Sequence, residues 1–254
     1  MTNFNESGHD KNVANFEDLI SRCVGFGVPY NPSLNAIKIA NMNTLRTSAL
    51  AALASVTSTE TAFANAEDNR ETIFKPLQAF ATRIMSALKS CGASDAVVKD
   101  AFIINRKIQG RRAKPIKEVL NTEQKMIDPN NPPPVEPVHI SVSQLSYDSM
   151  IDHYSKLINL LASVPAYIPN EPELTIAGLN TLLTSMKASN TAHITATTNV
   201  NNARINRNII LYKKGTGLLD VAQECKDYVK SVFGSKDAKY KQVSAIQFKR
   251  LVKL

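Results

Sequence analysis

A chain of 254 residues with only nine glycines, no tryptophan and a 43% hydrophobic share can bury a substantial core. It has too few turn and aromatic residues for a β-sandwich, which points to packed helices. Thirty Lys and Arg against 22 Asp and Glu give a net charge of +8. No run of about 18 apolar residues occurs, and the opening MTNFNESGHDKNVANFEDL lacks a basic stretch leading into an apolar one, so the expected setting is cytoplasmic with no membrane partner.

The first predicted element is a short amphipathic helix at about 13–22. It leads into YNPSLNAIKIANMNTLRTS, Tyr30 to Ser48, the start of a stretch free of Gly and Pro between Pro32 and Pro76. Such a stretch predicts a helix of ~40 residues, about 60 Å long at 1.5 Å per residue. Its apolar stripe runs Leu34, Met42, Leu45, Ala49, Ala52, Val56, Phe63, Ala66, at three- and four-residue steps. FKPLQ, Phe74 to Gln78, should kink it at the proline. A third helix then runs to Cys91–Gly92 and a fourth from Ser94 to about Gln109. DPNNPPPVEPV, Asp128 to Val138, cannot be helical and reads as a polyproline-like strap.

The same order returns after the strap. A helix at 145–162 precedes YIPNEPELTIAGLNTLLTS, Tyr167 to Ser185, and a second long segment carries Leu174, Leu179, Leu182, Met186, His193, Ala196, Val200 and Ala203. It should end at YKKGTG, Tyr212 to Gly217, where paired glycines stop a helix. A third helix to Phe233–Gly234 and a fourth from Lys236 to about Lys253 complete this half. The two Tyr-x-Pro segments agree without a gap at Tyr30/Tyr167, Pro32/Pro169, Ile39/Ile176, Ala40/Ala177, Asn43/Asn180, Thr44/Thr181, Leu45/Leu182, Thr47/Thr184 and Ser48/Ser185. Flanking blocks keep the same order: NFEDLI over HYSKLI, and NAEDNR over NARINR.

An internal duplication therefore organises the chain: a first helical repeat at 1–112, a Pro-rich linker at 113–144 and a second repeat at 145–254. The expected fold is all-α, an elongated helical bundle of approximate two-fold symmetry in which the repeats pack together and bury each other's stripe. Two separate domains on the strap are the runner-up.

Chemistry is sparse. His9, His139, His153 and His193 have no helical neighbours that would complete a metal site, and His193 lies over Val56 of the first repeat, which marks it as a packing residue. Cys23, Cys91 and Cys225 are odd in number and far apart, against a disulfide framework or zinc site and in favour of burial as small hydrophobes. YKKGTGLLD lacks the GxxxxGK[ST] of a phosphate loop. Adjacent acids such as Glu17/Asp18 and Glu67/Asp68 diverge on a helix, and no GxSxG or HExxH occurs. The expectation is a non-enzyme with no cofactor, no metal and no catalytic residues.

Two stretches concentrate the positive charge: RKIQGRRAKPIK, with six basic residues and no acid, and the last 29 residues, with eight basic and two acidic. Arg106, Lys107, Arg111, Arg112, Lys249 and Arg250 are the candidate contacts for nucleic acid or an acidic protein, expected at the end of the fourth helix of each half. Cations at helix C-termini also complement the macrodipole without any partner. Asn43, Thr44, Asn180 and Thr181, with Arg70 and Arg207, recur in long helices where Asn and Thr have poor propensity; they are the candidate helix-interface residues.

KIQGRR (Lys107 to Arg112), SYDS (Ser146 to Ser149), NARINRN (Asn202 to Asn208), YVKSVFG (Tyr228 to Gly234) and YKQVS (Tyr240 to Ser244) resemble blocks of an uncharacterised family of helical cytoplasmic proteins from Bacteroidota. The resemblance implies a bacterial cytoplasmic origin and no activity, cofactor or functional residue. The function expected is that of a structural or assembly protein, a homo-oligomer or part of a larger assembly; the alternative is a basic nucleic-acid- or ribosome-associated binder.

Overall fold

The computed structural model describes residues 7–111 and 145–252. The linker at 113–144 and Arg112 lie outside the described residues. Among the described residues every regular element is helical: α1 (Ser7–Gly25), a 3-10 turn (Asn35–Ile37), α2 (Ile39–Phe74), α3 (Leu77–Ser90), α4 (Asp95–Ile108), α5 (Tyr147–Ala162), a second 3-10 turn (Pro172–Leu174), α6 (Ile176–Tyr212), α7 (Leu218–Phe233) and α8 (Ala238–Ser244).

The long helices are slightly shorter than expected, 36 residues for α2 and 37 for α6. Each begins only after its 3-10 turn, and this explains why Leu34, counted into the first apolar stripe, is 49% exposed: a 3-10 turn advances 120° per residue and shifts the helical phase. From Met42 onward the stripe holds, with Met42, Ala49, Ala52 and Val56 buried. The second 3-10 turn folds back so closely on α6 that a Cβ at Gly178 would lie 2.2 Å from the Pro172 carbonyl oxygen. Only glycine fits there. At Pro76 the backbone stays helical (φ −78°, ψ −7°), so α2 bends into α3 rather than stopping. Ser94, Ser146 and Asp237 cap α4, α5 and α8 by accepting from Val97, Ser149 and Lys239 backbone N–H groups, as N-cap residues do.

The fourth helix expected from Lys236 to about Lys253 is a correction. Helix α8 ends at Ser244 and residues 246–252 are non-helical. The reason lies in α1, where the buried Asn12 side chain acts as a peptide surrogate. Its amide donates to the Lys249 carbonyl at 2.8 Å and its oxygen accepts the Lys249 N–H at 3.0 Å. Asn15 donates to the Gln247 carbonyl at 2.6 Å. Ile246 is buried, with Phe248 and Val252 packed against the same core. Side-chain amides and apolar anchors thus replace the hydrogen bonds another helical turn would supply.

The chain divides into two compact units, one formed by Met1–Glu67 with His193–Leu254, the other by Asp68–Ala192. The divisions fall inside α2 and α6, so each unit takes helices from both predicted repeats. The first unit has α1, α7 and α8 around a core of Val13, Phe16, Leu19, Ile20, Leu211, Tyr212, Leu218, Ala222 and Val229. The second has α3, α4 and α5 around Phe74, Leu77, Ala81, Ile84, Leu88, Tyr154, Leu157 and Leu161.

Candidate functional site

The predicted basic contacts are divided between the units. Arg106 and Lys107 form the last turn of α4, where cations face the negative helix end; Arg106 is half-buried, while Lys107 and Arg111 are exposed. Lys249 and Arg250 lie in the non-helical tail of the first unit, not at a helix end as expected. Lys249 is exposed, but its backbone is held by Asn12. Arg250 donates to the Tyr212 carbonyl and to the Asp220 carboxylate. The YKKGTG break is built around an acid, since the Gly215 N–H donates to Asp220 Oδ2 at 2.7 Å. A carboxylate already occupies the donor that a phosphate would need.

Most candidate interface residues bond to their own helix. Thr44 and Thr181 donate to the carbonyls of Ala40 and Ala177, and Asn180 to that of Ile176. Thr44, Asn180 and Thr181 are exposed, and Asn43 is partly buried. These i−4 bonds explain how the helices accommodate poor helix formers. Arg70 is different: its guanidinium lies 4.0 Å over the Tyr147 ring and donates to Asn190 Oδ1 at 3.3 Å, while the Asn190 amide donates to Asp148 at 2.8 Å. Charge and stacking together pin the start of α5 within the second unit. Arg207 is 5% exposed and donates to Asn208.

Each Tyr-x-Pro turn is closed by its tyrosine. Tyr30 donates to the Ile37 carbonyl at 2.7 Å and Tyr167 to the Leu174 carbonyl at 2.8 Å. Burial pushes the Tyr167 phenol up to about 12 and raises Tyr30 as well, so both stay protonated donors. In the first unit the Tyr30 hydroxyl is also 3.3 Å from Cys225 Sγ and 3.6 Å from Met42 Sδ, and Cys225 Sγ is 3.4 Å from Cys23 Sγ. Cys23 and Cys225 are 1% and 0% exposed. Their burial agrees with the small-hydrophobe expectation, but their adjacency was hidden by a separation of 202 positions in sequence. Cys91 is only half-buried.

In the second unit an open groove of 720 Å³ runs between α3 and the turn before α6, lined by residues including Thr82, Arg83, Ser86, Ala87, Cys91, Ile168 and Glu171. Arg83 pairs there with Glu173 at 2.8 Å. His193, read as a packing residue, is partly buried against Phe63 with ring centroids 5.1 Å apart. No group of three or more His, Cys, Asp or Glu placed to hold a metal occurs among the described residues, and no described helix is long and apolar enough to cross a membrane.

By fold the chain is an all-α protein whose described residues form two compact helical units. No protein-family model, curated protein or solved structure matches it.

Proposed function

We propose that the chain is a non-enzymatic structural or assembly protein, built by internal duplication, that associates with further copies of itself. The observation that carries this reading is a row of three exposed isoleucines on one face of the C-terminal half of α6. Ile194, Ile205 and Ile209 are 55%, 56% and 43% exposed and, with the exposed Thr198 and Asn201, fall along one face at helical steps. Three β-branched aliphatics on one exposed helical face are a surface that association would dehydrate. The matching Tyr-x-Pro turns support the duplication, since both use the same hydrogen bond to a carbonyl seven residues on.

Light scattering behind size exclusion, over a hundredfold concentration range, tests the proposal. The wild type should exceed monomer mass and Ile205→Glu with Ile209→Glu should return it to monomer with unchanged circular dichroism. A wild type monomeric at every concentration would overturn it. A second reading, binding of a nucleic-acid backbone, is favoured by the exposed Lys107 and Arg111 at the end of α4. It expects affinity that falls steeply with salt and drops on Lys107→Glu with Arg111→Glu.

A further inference from the structure

Three sulfurs in the first unit occupy places that aliphatic carbon fills in the second. Helices α3 and α7 begin at Leu77 and Leu218, both buried at about the same level, and seven residues on they present Ile84 and Cys225. Cys23 of α1 matches Leu161 of α5 in the spacing that pairs Leu19 with Leu157, and Met42 matches Leu179 in the spacing that pairs Tyr30 with Tyr167. Ile84, Leu161, Leu179, Cys225 and Met42 are all 0% exposed, and Cys23 is 1% exposed. Filling the matching buried positions therefore needs no sulfur, and the two thiols lie only 3.4 Å apart.

We infer that Cys23 and Cys225 form a redox modification site, a buried dithiol that hydrogen peroxide converts to a disulfide tying α1 to α7. A disulfide needs its sulfurs at about 2.05 Å, so closing it requires them to approach by a little over 1 Å. Either sulfur can donate in the pair, so either can act first; the case of Cys225 stands for both. Its thiolate attacks one peroxide oxygen, the O–O bond breaks, and the leaving hydroxide takes up a proton to become water. The Cys23 sulfur attacks the resulting sulfenic sulfur, forming the S–S bond as the S–O bond breaks, and the departing hydroxide takes the Cys23 proton to leave as a second water. Two thiols lose two electrons and two protons, and one peroxide is reduced to two waters. Because both sulfurs are enclosed, reaction waits on local opening of α1 from α7. The product then prevents that opening by closing a loop that spans most of the chain.

The test exposes the reduced full-length chain to peroxide, removes the excess with catalase, and counts thiols in denaturant. The expected count falls from the three cysteines of the sequence to one, with a mass loss of about 2 Da. Non-reducing peptide mapping should show Cys23 linked to Cys225, and Cys91→Ala should fall from two thiols to none. The thermal midpoint should rise by about 5–10 °C on oxidation and return on reduction. A count that stays at three, a link that includes Cys91, or a gain of about 32 Da per sulfinic acid without a link would each overturn the proposal. These readouts use the wild-type chain and Cys91→Ala, so they do not depend on a variant that removes a core residue.

Discussion

The two units solve the same packing problem with different materials. In the second, Ile84, Leu161 and Leu179 share a buried core with Tyr167; in the first, Cys225, Cys23 and Met42 share one with Tyr30. A second contrast concerns what covers each tyrosine turn. Tyr228, ten residues into α7, stands edge-on to Tyr30 at 5.3 Å and accepts the Asn31 N–H at 3.1 Å. Ten residues into α3 the side chain is Ala87, and the 720 Å³ groove opens there. A third is polar: His9 bonds Tyr212 at 2.7 Å in the first unit, where the second stacks Tyr147 edge-on against Phe74 at 4.8 Å. Positions matched by sequence spacing are buried in both units, while the chemistry placed there differs, so each unit serves as a control for the other.

Core truncation should separate the units most. Leu161→Ala should cost about 3 kcal/mol because it leaves a cavity in a close-packed core. Cys23→Ala, losing a single heavy atom at the matching place, should cost about 1 kcal/mol. Urea denaturation measures both, and equal losses would break the comparison. The tyrosine turns should instead behave alike. Tyr30→Phe and Tyr167→Phe each strand a buried carbonyl and should each cost about 1–2 kcal/mol. A difference well above ~1 kcal/mol would show that the additional sulfur contacts of Tyr30 contribute in their own right.

The smallest effect expected is a response to acid in the second unit. Burial, followed by the charge of Lys107, lowers the pKa of the 6% exposed His153 below its ordinary value, with Asp152 opposing. The unfolded chain therefore binds this proton more readily than the folded one. The associated stability is intact above about pH 6.5, declines as pH falls below that value, and levels off once pH passes the lowered folded value. The matching residue in the first unit is Asn15, which does not titrate. His153→Asn should flatten the pH dependence of hydrogen exchange in α5 and leave α1 unaltered.

Much of the helical framework was legible in the sequence because its signals are local. The stretches free of Pro and almost free of Gly gave the long helices, Pro76 the bend, and Gly215 with Gly217 the end of α6. The buried stripe from Met42 to Val56 followed from periodicity alone. What escaped depends on which elements meet. Nothing near Lys249 announces that Asn12 replaces its helical partners, so the basic tail read as one more helix. Cys23 and Cys225 are each an unremarkable apolar position until α1 and α7 are packed together. The candidate sites divide similarly: Lys107 and Arg111 are exposed as surface contacts require, whereas Arg250 is engaged by Asp220 across 30 residues. Thr44 and Thr181 fall at matched places in the sequence, but their bonds are to their own backbone.

The grip of Asn12 on Lys249 also sets an order of events during synthesis. All of the second unit lies in one continuous stretch of chain, Asp68–Ala192, and can be assembled as soon as that stretch has left the ribosome. In the first unit α1 emerges early, with Val13, Phe16, Leu19 and Ile20 lacking the α7 and tail residues that cover them. Vectorial synthesis at about 5–20 residues per second keeps that face waiting for about ten seconds or more. The early helix is therefore the segment of the nascent chain most in need of temporary cover, and the tail is the latch that ends the wait.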